Sequence, residues 1–287
     1  MNLCDLEEIK YLLRGHGFQF SKSMGQNFLV ENWVPEDIAK VSGADKNTGV
    51  LEIGPGIGCL TRELAHLAEK VVAVELDKAL LPILAVTLQS SPNASVVSGD
   101  VLQLNLPQFV AEQFGEKKPM VCANLPYNIT SPILTTLIDS ASFSKITVMI
   151  QKEVAQRIAA SAGDSAFGGF SIYCQYHCKA ELLFDVPADC FYPAPKVTSA
   201  VLQLTPQAPP PEVDDEKHFF QIVKGSFAQR RKTLQNSLSS SMSQYSKEDV
   251  VNALEICGLR ADVRGQALSI SDFARLSRTL RGLPLTV

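Results

Sequence analysis

The chain has 287 residues, 46% of them apolar and 20% charged, with a formal net charge of −4. That is enough apolar material for one large α/β domain and a smaller appendage, each burying its own core, and it excludes a disordered or fibrous protein. The acidic balance argues against a protein that coats nucleic acid without regard to sequence.

No run of 18 uncharged apolar residues occurs, and Met1–Glu8 is acidic where a secretory or transit peptide would be basic. No membrane association and a cytoplasmic location are expected.

Short apolar runs predict seven strands, at Val50–Ile53, Val71–Glu75, Ser95–Val97, Met120–Ala123, Ile146–Ile150, Ile172–Leu183 and Ser199–Leu204. They alternate with longer helical patterns, the signature of βα units and a mostly parallel sheet. The last two runs have no amphipathic crossover between them, so they are expected to form an antiparallel edge.

The seven cysteines (4, 59, 122, 174, 178, 190 and 257) are odd in number, scattered and without a C-x-x-C pair, which predicts reduced thiols and no disulfide framework. Cys174 and Cys178 flank His177, but structural zinc ligands come in spaced pairs, so this run reads as a buried strand and no metal is expected.

Prolines and acids from Pro206 to Asp215 exclude helix interior and central strand. The chain is therefore expected to divide into a domain of residues 1–205, a linker of 206–216 and a helical domain of 217–287. In the last, His218–Ser226, Lys247–Cys257 and Ile270–Arg281 have helical spacing, with Ser246 and Ser271 as polar caps, and Ser237–Ser241 reads as a flexible loop. Residues 1–211 carry 15 basic and 21 acidic side chains, residues 212–287 carry 11 and 9, and the stretch Lys217 to Lys247 holds six basic residues and no acid. A local basic face is thus available on an acidic protein.

Three glycines, Gly54, Gly56 and Gly58, follow the first β-branched strand directly and precede the helical run Leu60–Ala68. Glycine there lets the backbone approach a ligand. The second strand ends in Glu75, about 20 residues on, where a carboxylate can accept from both ribose hydroxyls of a nucleoside. The third runs into Asp100, and the carboxyl ends of adjacent parallel strands meet at one crevice. A dinucleotide would satisfy the same residues, but its fingerprint is G-x-G-x-x-G whereas here Gly58 falls one place early, which favours a nucleoside-sulfonium ligand.

The fourth strand ends in Asn124-Leu125-Pro126-Tyr127. The exocyclic amine of a base is a poor nucleophile until two acceptors hold its nitrogen in a more tetrahedral geometry. The side-chain oxygen of Asn124 and the carbonyl of Leu125 can each take one N–H, and Pro126 stiffens the loop that presents them. Tyr127 offers a flat face for a purine, or closes the loop as a buried tyrosine. Phe191, in the proline loop Phe191–Val197, either stacks on the base or packs in the core.

With these motifs in order, the chain resembles the ribosomal RNA adenine dimethyltransferases, most closely their bacterial small-subunit branch. The resemblance runs from Ser23–Leu29 through Leu51–Gly56, Asn124–Thr130, Gln151–Ala155 and Phe191–Val197 to Phe227–Leu234. It implies a Rossmann-like class I methyltransferase fold with a seven-stranded, mostly parallel sheet, plus a small all-helical C-terminal domain. It further implies that S-adenosylmethionine is the cofactor and that residues 1–48 form a helical segment from which Asn27 and Leu29 pack over it. Gly54 and Gly56 would contact its methionine part, Glu75 its ribose, Asp100 its adenine, and Asn124 the reaction centre.

By the same resemblance the product is dimethyladenosine at two adjacent adenines in a hairpin loop near the 3′ end of small-subunit (16S) ribosomal RNA. An immature small subunit is the expected partner, and a monomer is the default expectation for the enzyme. Arg230, Arg231 and Lys232 would grip RNA phosphates, or else form a solvated helix face. Two alternatives stand beside this: a large-subunit enzyme of the antibiotic-resistance type, which Asn128-Ile129-Thr130-Ser131-Pro132 after the catalytic motif disfavours, and a non-catalytic RNA-binding assembly factor.

Overall fold

The computed structural model describes residues 1–20, 25–229 and 231–282. Asp5 starts the first helix, α1 (Leu6–Gly15), by accepting the N–H groups of Glu7 and Glu8, and Ile9, Leu12 and Leu13 form its buried stripe. A two-residue strand, β1 (Phe28–Leu29), and a second helix, α2 (Trp33–Ser42), complete the segment before the sheet.

Every residue of β2 (Thr48–Ile53) is buried, as expected of a strand covered on both faces. It pairs in parallel with β3 (Lys70–Glu75) on one side and β5 (Lys118–Asn124) on the other. β4 (Ala94–Ser98) extends the sheet beyond β3, and β6 (Ile146–Gln151) beyond β5, again in parallel. The sheet order is β4-β3-β2-β5-β6-β9-β7, with β9 (Ser199–Pro206) antiparallel to β6 and β7 (Cys178–Val186) at the edge. Helices α3 (Cys59–Leu67), α4 (Leu81–Thr87), α5 (Leu106–Phe114) and α6 (Thr130–Asp139) connect the parallel strands.

The strand order reverses between β2 and β5, and a sheet of this kind binds ligands outside its carboxyl ends at that point. Close packing of α5 on the sheet depends on Gly49: a Cβ there would lie 2.2 Å from Cδ1 of Phe114.

Two compact units emerge, one of residues 1–155 with 181–206, the other of residues 156–180 together with 207 onward. The expected single cut near residue 206 is therefore corrected: residues 156–180 leave the first unit and join the helical one. Helix α7 (Lys152–Ala159) leads into that excursion.

The expected strand Ile172–Leu183 is also corrected, because its first half is helix α8 (Gly169–His177) and β7 begins only at Cys178. Ile172 and Tyr176 stand four residues apart and are buried against Phe219, the Tyr176 and Phe219 rings being 5.4 Å apart. A short apolar run suits a buried helix as well as a strand, and tertiary packing decides.

Within the second unit, α9 (Glu216–Phe227), α10 (Leu234–Ser241), α11 (Lys247–Ile256) and α12 (Ile270–Leu280) enclose Phe219, Leu234, Leu238, Leu254 and Phe273. The Ser237–Ser241 stretch, expected as a loop, is the second half of α10. Leu234 and Leu238 are buried at helical spacing, and Ser241 returns its hydroxyl to the Ser237 carbonyl four residues back, 2.7 Å away.

Ser246 caps α11 as expected, but α12 is capped by Ser269, not Ser271, in a reciprocal box with Asp272. His218 is buried between Ser277 (Nδ1 to Oγ, 2.7 Å) and Tyr245 (Nε2 to OH, 2.8 Å). Arg278 and Arg281 both pair with Asp214, fastening the end of the linker to α12. All seven cysteines are buried free thiols. Among the described residues no helix is long and apolar enough to cross a membrane.

Candidate active site

A cavity of about 360 Å³ opens at the carboxyl ends of β2, β3, β4 and β5. Each strand delivers one of the expected residues to it. Past β2, Gly54 has φ +67° and donates to the Val74 carbonyl at 3.0 Å, and a Cβ built on it would meet nothing within 4 Å. The backbone here is bare toward the open space, a position an L side chain would adopt only under strain. Gly56 lines the same wall.

Glu75 closes β3. It is 6% exposed, and its Oε1 accepts the Asp77 N–H at 2.7 Å. Burial, more than the neighbouring Asp77 charge, raises its carboxyl above the usual range. Asp77 in turn accepts from Gln26 Nε2 at 2.6 Å, which anchors the segment carrying Asn27 and Leu29 to this rim. Both of those residues line the cavity, Asn27 with its amide on the Gly25 carbonyl (3.1 Å) and Leu29 buried in β1. Asp100 follows β4 and caps a short turn by accepting from Leu102 N at 3.0 Å.

Asn124 is the last residue of β5, in register with Met149 of β6, and the Leu125 N–H continues that ladder to the Met149 carbonyl at 3.0 Å. The loop is held from below as well: the Pro126 carbonyl accepts from the Thr130 hydroxyl at 3.0 Å. Tyr127 also lines the cavity, and its hydroxyl meets that of Ser199. Burial pushes the Tyr127 phenol up, so it stays protonated throughout the physiological range.

Phe191 is not brought into the site. It lies in β8 (Phe191–Tyr192), 3% exposed in the core, where it pairs with Leu29. Core packing is thus the alternative the fold adopts for this ring. Arg231 and Lys232 are exposed in the turn between α9 and α10, whereas Arg230 lies outside the described residues.

Glu52 is the wall residue that the motif reading passed over. It is 1% exposed, and its Oε2 is buried without a hydrogen-bond partner. Burial, helped by the Glu75 charge, pushes its carboxyl up to about 8; the nearby Thr61 hydroxyl pulls the other way without closing a bond to it. A charged side chain inside a strand buried on both faces was the available signal, since such positions tolerate charge only for a reason.

Among the described residues of the wall, Glu52, Glu75, Asp77 and Asp100 are carboxylic and none is Lys, Arg or His. A pyrophosphate would find no basic side chain among them, and the excess of carboxylic groups favours a cationic ligand over a dinucleotide.

The family model for ribosomal RNA adenine dimethylase matches residues 17–280. The chain belongs to that family. Among curated relatives of this dimethylase, the ribosomal RNA small subunit methyltransferase A of Streptococcus gordonii is 47% identical over 286 residues, covering 98% of this chain and 99% of the relative. The protein of the same description from Geobacillus thermodenitrificans is 44% identical over 279 residues, 96% and 95% of the two chains.

Of solved structures, the 23S rRNA methyltransferase ErmE aligns with TM-score 0.69 at 26% identity over 88% of this chain and 99% of its own. A dimethyladenosine transferase from Plasmodium falciparum aligns at 0.72 and 24% identity over 90% and 99%, which bears on the fold. The dimethylase family thus coincides with the Rossmann-like methyltransferase sheet described above.

Proposed function

We propose that this chain transfers methyl groups from S-adenosylmethionine to the exocyclic amines of two adjacent adenines in the 3′-terminal hairpin loop of small-subunit (16S) ribosomal RNA. It does so as a cytoplasmic monomer acting on an immature small subunit. The observation that carries the reading is the convergence of Asn124 with Gly54, Glu75 and Asp100 on one cavity.

The residues present fit the cofactor. Gly54 leaves room beside the methionine part, Gly56 lines the same wall with Phe28 packed close against it, Glu75 suits the ribose hydroxyls, Asp100 the adenine, and Asn27 and Leu29 form the opposite wall. The acidic lining suits a ligand whose net charge is positive. When bound, the cofactor supplies an electrophilic methyl on a sulfonium.

The chain's own contribution is positioning. Asn124 Oδ1 and the Leu125 carbonyl accept the two N–H groups of the amine and aim its lone pair, Pro126 holds that carbonyl, and Tyr127 stacks on the ring. No general base is required, because the methylated nitrogen is cationic and loses its proton to water. A base in a loop leaves its stack more readily than one in a duplex, which suits a hairpin substrate. Arg231 and Lys232, exposed on the helical unit, supply phosphate contacts.

The small-subunit assignment draws on 47% identity to a small-subunit enzyme against 26% to a large-subunit one. Mass spectrometry of the RNA from under-methylated small subunits and from large subunits, each incubated with protein and cofactor, tests it. Dimethyladenosine at two neighbouring positions is expected. Modification of large-subunit RNA instead, or none at all, would overturn it.

A further inference from the structure

No step of the methyl transfer uses Glu52. It is the fifth residue of β2, fully enclosed, with Oε2 lacking any partner, yet it belongs to the wall of the cavity. A carboxylate in that setting is costly, so burial favours the protonated form.

Among the described residues, no positive charge acts on its carboxyl. Glu75 approaches from β3, Cys59 and Thr61 from α3, and Cys122 from β5, while Cys59 in turn meets Cys4 of the N-terminal segment. Each ionisable member of that set can only become negative. The remaining carboxyls of the wall, Asp77 and Asp100, are occupied by backbone N–H donors of their own turns.

S-adenosylmethionine carries a sulfonium, an ammonium and a carboxylate, a net single positive charge. Resting on the reading of this cavity as its site, we infer that Glu52 is a proton-linked counter-ion for the cofactor: its carboxyl is neutral in the free protein and releases its proton to solvent as the cationic ligand enters. The exchange balances, since one cation enters, one proton leaves, and no bond in the ligand is made or broken. Burial pushes the Glu52 carboxyl of the free protein up to about 8, on the neutral side at pH 7. A neutral nucleoside filling the same space has no charge with which to displace the proton.

Titration calorimetry of the whole protein at pH 7, in two buffers of very different ionisation enthalpy, counts the protons. About one proton released per S-adenosylmethionine bound is expected, and affinity should strengthen roughly tenfold per pH unit between pH 6 and 7, where the ligand's own ammonium stays protonated. Adenosine should bind with no release.

Glu52→Gln, which keeps the shape but cannot ionise, should abolish the release and weaken S-adenosylmethionine about tenfold at pH 7 while sparing adenosine. Binding without proton release in the unaltered protein, or a release that survives Glu52→Gln, would overturn the inference and leave the cofactor reading standing. Failure of S-adenosylmethionine to bind at all would overturn both.

Discussion

The hydroxyl of Tyr127 lies 2.5 Å from that of Ser199, so the aromatic ring at the end of β5 is tied to the first residue of β9, the strand that turns the sheet antiparallel. The face proposed to receive a base is therefore set from two strands at once. Removing either hydroxyl, as Ser199→Ala or Tyr127→Phe, is expected to lower kcat/KM about three- to tenfold, the worth of one hydrogen bond. The double variant should lose little more than either single one, and methyl-transfer kinetics on the four proteins make the check.

Asn124→Ala removes one of the two acceptors for the amine. The expected fall in kcat is about a hundredfold or more, comparable to deleting one preorganised polar group from a reaction centre. Cofactor affinity should change far less, and a variant that still labels RNA at the parent rate would take Asn124 out of the mechanism.

Glu75→Ala should weaken S-adenosylmethionine roughly 10- to 100-fold, the range for hydrogen bonds to a charged group. Calorimetry decides, and an unchanged affinity would contradict the ribose assignment.

Gly49→Ala tests how tightly α5 lies on the sheet. With the new methyl group only 2.2 Å from the Phe114 ring, overpacking should cost roughly 1–3 kcal/mol and lower the melting temperature by several degrees. A melting temperature equal to the parent's would show that α5 can shift without loss.

His218 gives the helical unit a dependence on pH. Burial, more than the nearby Arg281 charge, holds its imidazole below the usual value. The unfolded chain then binds the proton first as pH falls, so stability is lost from about pH 6.5 downward until the folded-state value is passed. Thermal melts between pH 7.5 and 5 should show this fall, and His218→Gln should flatten it.

The parallel core was legible because its signals are local. Val50–Ile53 and Val71–Glu75 are short β-branched runs bounded by glycine or acid, and strands of this kind announce both themselves and the crevice at their ends. For the same reason Gly54, Glu75 and Asp100 could be placed at one crevice from spacing alone, with Asn124 joining them through the family resemblance.

What the sequence hid was decided at long range. Ile172 to His177 is helical because Phe219, more than forty residues later, covers its apolar side. The serines of α10 look like a loop until the hydroxyls of Ser239, Ser240 and Ser241 are seen bonded to carbonyls of their own helix, and that of Ser237 to the Gly225 carbonyl of α9. Phe191 carries no mark that would separate a ring beneath a cavity from one inside it. Glu52 was visible but read as part of a glycine motif, since a single sequence does not show how completely its carboxyl is enclosed.

Leu29 and Phe191 face each other in the two-residue ladder of β1 and β8, reinforced by the Val30 N–H on the Cys190 carbonyl at 2.9 Å. One side of the ligand chamber is thereby clasped to a hairpin that arrives late in the chain. Peeling that side back, whether for ligand exchange or by mutation, must either break the clasp or drag the proline-rich hairpin with it. Phe191 consequently acts as a fastener: its substitution should loosen the chamber from behind without touching anything the chamber holds.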